Sequence, residues 1–338
     1  VASAAAGASG VAAGGGEGAP SGADGGGTVE TGGLGDAGWS DEDWDDFSGC
    51  GVIEKLSRDC WHGQRWCDAV AAETLRLCTA HRPRPAPRSL RFGASAFDPA
   101  RAGAEQAPCG APGRGPRRLG APHIEVTGED SLAAAKRLCA MSAERPAVLN
   151  MANAHWCAGG FLSGVCGQEE ELCRRTTLFC ELADAEYPLP SCGGLLSPDV
   201  VVLRGAGPEY LALPDPYHIA VVTAAAPVKP DVSSEDAKRE YEALMKYKID
   251  TLLGFCATCG YKSLVLSAWG CGAFRNPPAI VARLFRDALE PPSVLGASFE
   301  RVVFAVYDRW GAEQNRPEFE RVFADLVRPG GVGCGRPC

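Results

Sequence analysis

Pro146-Ala-Val-Leu-Asn-Met-Ala-Asn-Ala-His-Trp-Cys-Ala-Gly-Gly-Phe-Leu-Ser-Gly-Val-Cys-Gly-Gln-Glu-Glu170 is the stretch on which the reading of this chain turns. An apolar run of strand length, Pro146–Met151, leads into glycines, and a helix then opens on Glu169 and Glu170. A short continuous apolar run bounded by turn residues marks a strand covered on both faces. At a strand-to-helix transition, glycines allow close backbone approach, and uncommitted N–H groups can receive a phosphate. The bland readings stand beside this one. Paired glycines also serve plain turns, and acids in a first helical turn complement the helix dipole without any chemistry.

Working outward, the same strand–loop–helix logic recurs. Ser263–Ala268 reads as a strand, Trp269-Gly-Cys-Gly-Ala-Phe274 as a glycine loop, and Asn276-Pro-Pro278 as a helix start, because proline suits the first helical position. Two such loops can hold the two phosphates of one ligand from opposite sides, outside the carboxyl ends of the strands. Strands are also expected at Ile124–Val126, Val200–Leu203, His218–Thr223 and Val302–Tyr307. Helices are expected at Asp130–Ala140, Glu169–Leu182, from Ser233 or Ser234 to about Gly260, at Pro278–Leu289 and at Pro317–Leu326. Alternating apolar strands and helices argue for a sheet with helices on both faces.

The N-terminal part is different. Of the 338 residues, the first 48 hold nine acids and no Lys or Arg, leaving 33 acids and 33 bases in the remainder. The formal charge of −9 therefore belongs to the tail, and a dense basic surface for gripping nucleic acid is disfavoured. Residues 1–48 read as a disordered Gly/Ala-rich acidic tail. Its Trp39–Phe47 run of acids and aromatics is open to two readings, a docking motif or a solvated tail end. Residues 49–122 read as a helical extension, clearest at Ala69–Cys78, followed by an irregular Pro/Gly/Arg-rich linker. Residues 123–328 form the regular domain, and 329–338 a flexible end. No apolar run is long enough for a membrane span. No signal peptide is visible, so the 16 cysteines are expected as thiols in a reducing compartment, cytoplasmic or nuclear.

The residues from 147 to 178 resemble the signature of the poly(ADP-ribose) glycohydrolases of the bacterial and fungal (microbial) type, within the macrodomain superfamily. That signature is a triple glycine, six to eight residues, then Gln-Glu-Glu. Here Ala158-Gly159-Gly160 is followed by seven residues and Gln168-Glu169-Glu170, then Leu172-Cys-Arg-Arg-Thr-Thr-Leu178. Val265–Pro278 is similar to the family's second phosphate loop. Weaker similarities at 71–75, 197–204, 223–227 and 303–308 follow in the family's order.

The resemblance implies a three-layer α/β/α macrodomain with a mixed, mostly parallel sheet. It also implies hydrolysis of ribose–ribose O-glycosidic bonds in poly(ADP-ribose), with ADP-ribose released. Such a reaction needs a carboxyl to protonate the departing oxygen and activate water. By resemblance that group is Glu170, while Glu169 holds the ribose hydroxyls and Gln168 belongs to the same binding segment. Gly159 and Gly160, with Gly270 and Gly272 opposite, would offer N–H groups to the diphosphate. Phe274 would pack on the ribose, Asn153 would lie beside the distal ribose, and Asp130 would contact adenine. The expected partners are poly(ADP-ribose) and ADP-ribosylated proteins, handled by a monomer without metal or cofactor.

Ala158 departs from the pattern, standing where the first glycine usually lies, with Cys157 where proline is common. Alanine adopts positive φ only at a cost. The alternatives are a module that binds ADP-ribose without cleaving it, and a hydrolase of single ADP-ribosyl units. Cys256-Ala-Thr-Cys259 is a lone pair in a helical pattern and is not read as a zinc site. His155 is read as loop surface.

Overall fold

The computed structural model describes residues 64–81, 89–93, 120–161, 165–293, 295–308 and 315–326. The expectations for residues 1–48 and 329–338 lie outside these. A seven-stranded sheet runs in the order β1 (Leu90–Phe92), β4 (Gly194–Arg204), β5 (Ala212–Ala224), β3 (Ala147–Met151), β6 (Ser263–Leu266), β7 (Arg301–Ala305), β2 (His123–Thr127). The pairs β5–β3, β3–β6, β6–β7 and β7–β2 are parallel, whereas β4 and β1 are antiparallel additions at one edge.

Period-two alternation divides the core between the two faces. On β3, Ala147 and Leu149 join one apolar cluster and Val148 the other; on β6, Leu264 and Leu266 oppose Val265. The first face is covered by α5 (Glu235–Thr258), α6 (Pro278–Leu289) and α7 (Asn315–Phe323). There Phe304 of β7 sits 5.4 Å from the Phe285 ring and 4.7 Å from that of Phe323. The second face carries α2 (Ser131–Met141), α3 (Gln168–Arg175) and α4 (Leu178–Leu182). This is the expected three-layer α/β/α arrangement.

Helix α1 (Gln64–His81) belongs to the second layer as well. Its Thr74 hydroxyl donates to the Arg174 carbonyl at 2.6 Å, and Glu73 pairs with Arg204 at 2.8 Å. Within the region read as a linker, Leu90–Phe92 pairs with Gly194–Leu196 as the edge strand β1. The single helix expected over Glu169–Leu182 is two helices. Thr176 makes an isolated bridge to Val202, and the Thr177 N–H donates to the Val201 carbonyl, so the segment between them is pulled onto β4. Among the described residues, no helix is long and apolar enough to cross a membrane.

Candidate active site

The carboxyl ends of β3, β6 and β7 open into one cleft of about 800 Å³. Asn153, Gly159, Gly160 and Gln168–Glu171 line one side, Gly270, Gly272 and Phe274 another, and Tyr307 and Asp308 a third. The sequence-expected residues Asp130, Asn153, Gly159, Gly160, Gln168, Glu169, Glu170, Gly270, Gly272 and Phe274 are all among its walls.

Helix α3 delivers the two glutamates, and its start is fixed by Gln168. The Gln168 amide oxygen accepts from the Met151 N–H at 2.9 Å, while its Nε2 donates to the Leu149 carbonyl at 2.7 Å and the Ser131 hydroxyl at 3.2 Å. One side chain thereby ties α3 to the end of β3 and to α2. Its polar atoms are committed within the protein.

Glu169 is 4% exposed. Its Oε1 accepts from Asn150 Nδ2 at 3.2 Å and its Oε2 from the Asn153 N–H at 2.8 Å. Burial pushes this carboxyl up to about 8, helped by neighbouring Glu170, against the lowering effect of the two donated bonds. At neutral pH Glu169 therefore retains a proton. Glu170, 7% exposed, accepts from the Gly160 N–H at 2.9 Å (Oε1) and the Gly167 N–H at 3.0 Å (Oε2). The second bond is half of a capping box, in which the third helical residue reaches back to the cap.

The glycines of the two loops have separate duties. Gly159, at φ +56°, has its N–H on the Trp156 carbonyl at 3.1 Å. With the Gly160 N–H held by Glu170, this loop orients the carboxylate, whereas the sequence reading gave both groups to the diphosphate. Across the cleft, the N–H groups of Gly270, Gly272, Ala273 and Phe274 have no acceptor among the described residues. Such a run of open donors can serve as an anion cradle of the kind backbone nests provide.

Asn276 holds the cradle in shape, a role the sequence reading missed. It is 1% exposed, with Nδ2 donating to the carbonyls of Pro227 (2.7 Å) and Gly270 (3.0 Å) and Oδ1 accepting from the Tyr241 hydroxyl (2.9 Å). Gly270, at φ +76°, packs so tightly that a Cβ there would lie 2.5 Å from both Ala226 Cβ and Asn276 Nδ2. Asn150, wholly buried at the end of β3, was likewise unassigned by sequence. The only signal was an asparagine at each junction, Asn150 where an apolar strand meets a glycine loop and Asn276 where a glycine loop meets a helix.

Asp130 caps α2, accepting from the N–H groups of Leu132 (2.9 Å) and Ala133 (3.1 Å), and pairs with Arg175 at 2.9 Å. Its carboxylate is thus engaged at the cleft wall. Ala158 stands at φ +57° and is fully buried. The loop has the left-handed turn that the glycine pattern suggested, and alanine accepts it here. Among the described residues, Arg175 is the one cation lining the cleft, against five carboxyls, Asp130, Glu169, Glu170, Glu171 and Asp308. Among the described residues, no group of three His, Cys, Asp or Glu is placed to hold a metal. Cys256 and Cys259 lie in the core at 2% and 4% exposure, and burial pushes the Cys256 thiol up to about 12.

The arrangement suits acid–base chemistry on a ligand whose anionic middle rests on backbone donors. Residues 89–204 match the family described as microbial-type PARG, catalytic domain. The solved poly(ADP-ribose) glycohydrolase from Thermomonospora curvata is 28% identical, with 76% of this chain and 99% of that chain covered and a TM-score of 0.64. The same glycohydrolase bound to the inhibitor ADP-HPD aligns at 26% identity over 76% of this chain and 99% of that one, with a TM-score of 0.62. The glycohydrolase from Deinococcus radiodurans in complex with ADP-ribose is 32% identical over 63% of this chain and 89% of that one, with a TM-score of 0.53. No curated protein matches.

Proposed function

The chain belongs to the microbial-type poly(ADP-ribose) glycohydrolases, and on that premise we propose that it hydrolyses the ribose–ribose O-glycosidic bonds of poly(ADP-ribose), releasing ADP-ribose. The observation that carries the reading is the Glu169–Glu170 pair at the head of α3, facing a run of open backbone donors across the cleft.

In this mechanism the diphosphate rests on the N–H groups of Gly270, Gly272, Ala273 and Phe274. The Phe274 ring packs on the adjoining ribose and sets its angle, with Asn153 beside the distal ribose. Glu170 protonates the departing oxygen as the oxocarbenium-like state develops, then takes a proton from the attacking water. The Gly160 and Gly167 N–H groups fix its two oxygens for that exchange. Glu169, protonated at neutral pH, donates a hydrogen bond to a ribose hydroxyl and adds no charge beside the bound diphosphate. The cycle needs no metal or cofactor.

The working unit is a single chain whose catalytic domain takes in the edge strand β1 as well as residues 123–328, with α1 packed against it. Its substrates are the polymer and the ADP-ribosylated proteins that carry it. Incubating the purified chain with labelled polymer and separating the products by chromatography tests this. ADP-ribose should accumulate. Tight ADP-ribose binding without product would identify a binding module, and release of protein-linked single units with polymer left intact would identify a mono-ADP-ribosyl hydrolase.

A further inference from the structure

Trp156 is the most exposed large apolar side chain among the described residues, at 71%. A solvated indole costs hydration free energy, and its backbone is nevertheless held firmly. The Asn153 side chain accepts from the N–H groups of His155 (2.8 Å) and Trp156 (3.0 Å), and the Trp156 carbonyl accepts from Gly159. These anchors belong to the reacting end of the cleft. Asn153 donates to Glu169, and Gly159 abuts the oxygens of Glu169 and Glu170. Trp156 itself lies outside the residues lining the cleft.

A polymeric substrate must continue beyond the unit the cleft encloses, past the two carboxyls. The ribose across the scissile bond carries an adenine, so a purine leaves the cleft within a few ångströms of that bond. We propose that Trp156 is a stacking platform for this adenine, a subsite for the unit on the leaving side of the bond. The inference rests on the glycohydrolase reading above. An exposed aromatic face accepts any base by stacking, and its two χ angles cost little entropy to fix. Its contribution is selective, because it acts only on a substrate that has a base across the bond.

The test compares two substrates with three proteins: wild type, Trp156→Ala and Trp156→Phe. One substrate is poly(ADP-ribose); the other is an ADP-ribosyl conjugate whose leaving group is a simple phenol without a base. Trp156→Ala should lose about tenfold in kcat/KM on the polymer and less than twofold on the conjugate, since stacking on one base is worth roughly that factor or more. Trp156→Phe should recover most of the loss. Equal losses on both substrates would place Trp156 in support of the loop and overturn the subsite, as would an unchanged polymer rate in Trp156→Ala. If the wild type cleaves neither substrate, the glycohydrolase reading itself fails, an outcome distinct from either of these.

Discussion

The Glu170 carboxylate occupies the room that a side chain at residue 159 would need: a Cβ on Gly159 would lie 2.5 Å from Glu170 Oε1 and 3.1 Å from Glu169 Oε2. The absent methyl, together with φ +56°, is what lets the loop close over both acids. Gly159→Ala should therefore displace Glu170 and strain the turn, at about 1–3 kcal/mol for the backbone conformation. We expect turnover to fall at least tenfold while ADP-ribose binding, which the proposed mechanism gives to the opposite loop, changes less. Calorimetry beside a turnover assay checks this, and equal losses in both would contradict the division of labour between the loops.

Glu170→Gln keeps the shape and can still accept from Gly160, but it cannot cycle a proton. Turnover should drop by roughly 10²–10⁴-fold, the range for general acid–base catalysis. Affinity for ADP-ribose should stay within a few-fold. Near-normal turnover in this variant would remove Glu170 from the reaction.

Glu169 makes stability depend on pH. Its carboxyl sits at about 8 in the folded chain and at about 4.3 when unfolded. A raised folded value favours the fold fully below the unfolded value, and the benefit is lost as pH climbs toward 8. At 1.36 kcal/mol per unit the full span is on the order of a few kcal/mol. Glu169→Gln should flatten this part of the profile, so the variant gains on the wild type between pH 5 and 8. Parallel melting curves for the two proteins across that range would refute the assignment.

Asn276→Ala removes bonds that hold the 270–274 loop against Pro227 and Tyr241. Leaving the Pro227 carbonyl and the Tyr241 hydroxyl without these partners costs about 1–3 kcal/mol, so the melting temperature should fall. The rise on adding ADP-ribose should shrink too, because the donors are no longer aligned. A full ligand-induced rise on the lowered baseline would mean that the cradle survives without its brace.

Local signals carried the elements they govern. Pro278 at the first helical position set the start of Pro278–Leu289, and Ser234 caps the helix Glu235–Thr258. Asp130 does the same for Ser131–Met141. The break at Thr176–Thr177 had no such signal, because its cause is pairing with Val201 and Val202, some 25 residues away in sequence. Leu90–Phe92 was hidden for the same reason: three residues have no readable period, and their partner is Gly194–Leu196. Within the site, Glu169 and Glu170 stood out as chemistry at a helix start. The tasks of Gln168, Asn150 and Asn276 were not legible, since an amide's partners are known only once strands β3, β5 and β6 lie side by side.

The one guanidinium among the described residues that line the cleft, Arg175, is already paired with Asp130, and this has a consequence for behaviour in solution. A protein that captures phosphates with Lys and Arg loses affinity steeply as salt rises, through counterion release. In the proposed complex the anion is met by uncharged peptide groups inside a rim of excess negative charge. Added salt screens that repulsion across the ~10 Å Debye length at 0.1 M, so capture of the ligand should hold steady or improve with ionic strength. Free inorganic anions find no unpaired cation among the described lining residues and should make poor competitors. Discrimination then rests on the length and shape of the nucleotide rather than on its charge.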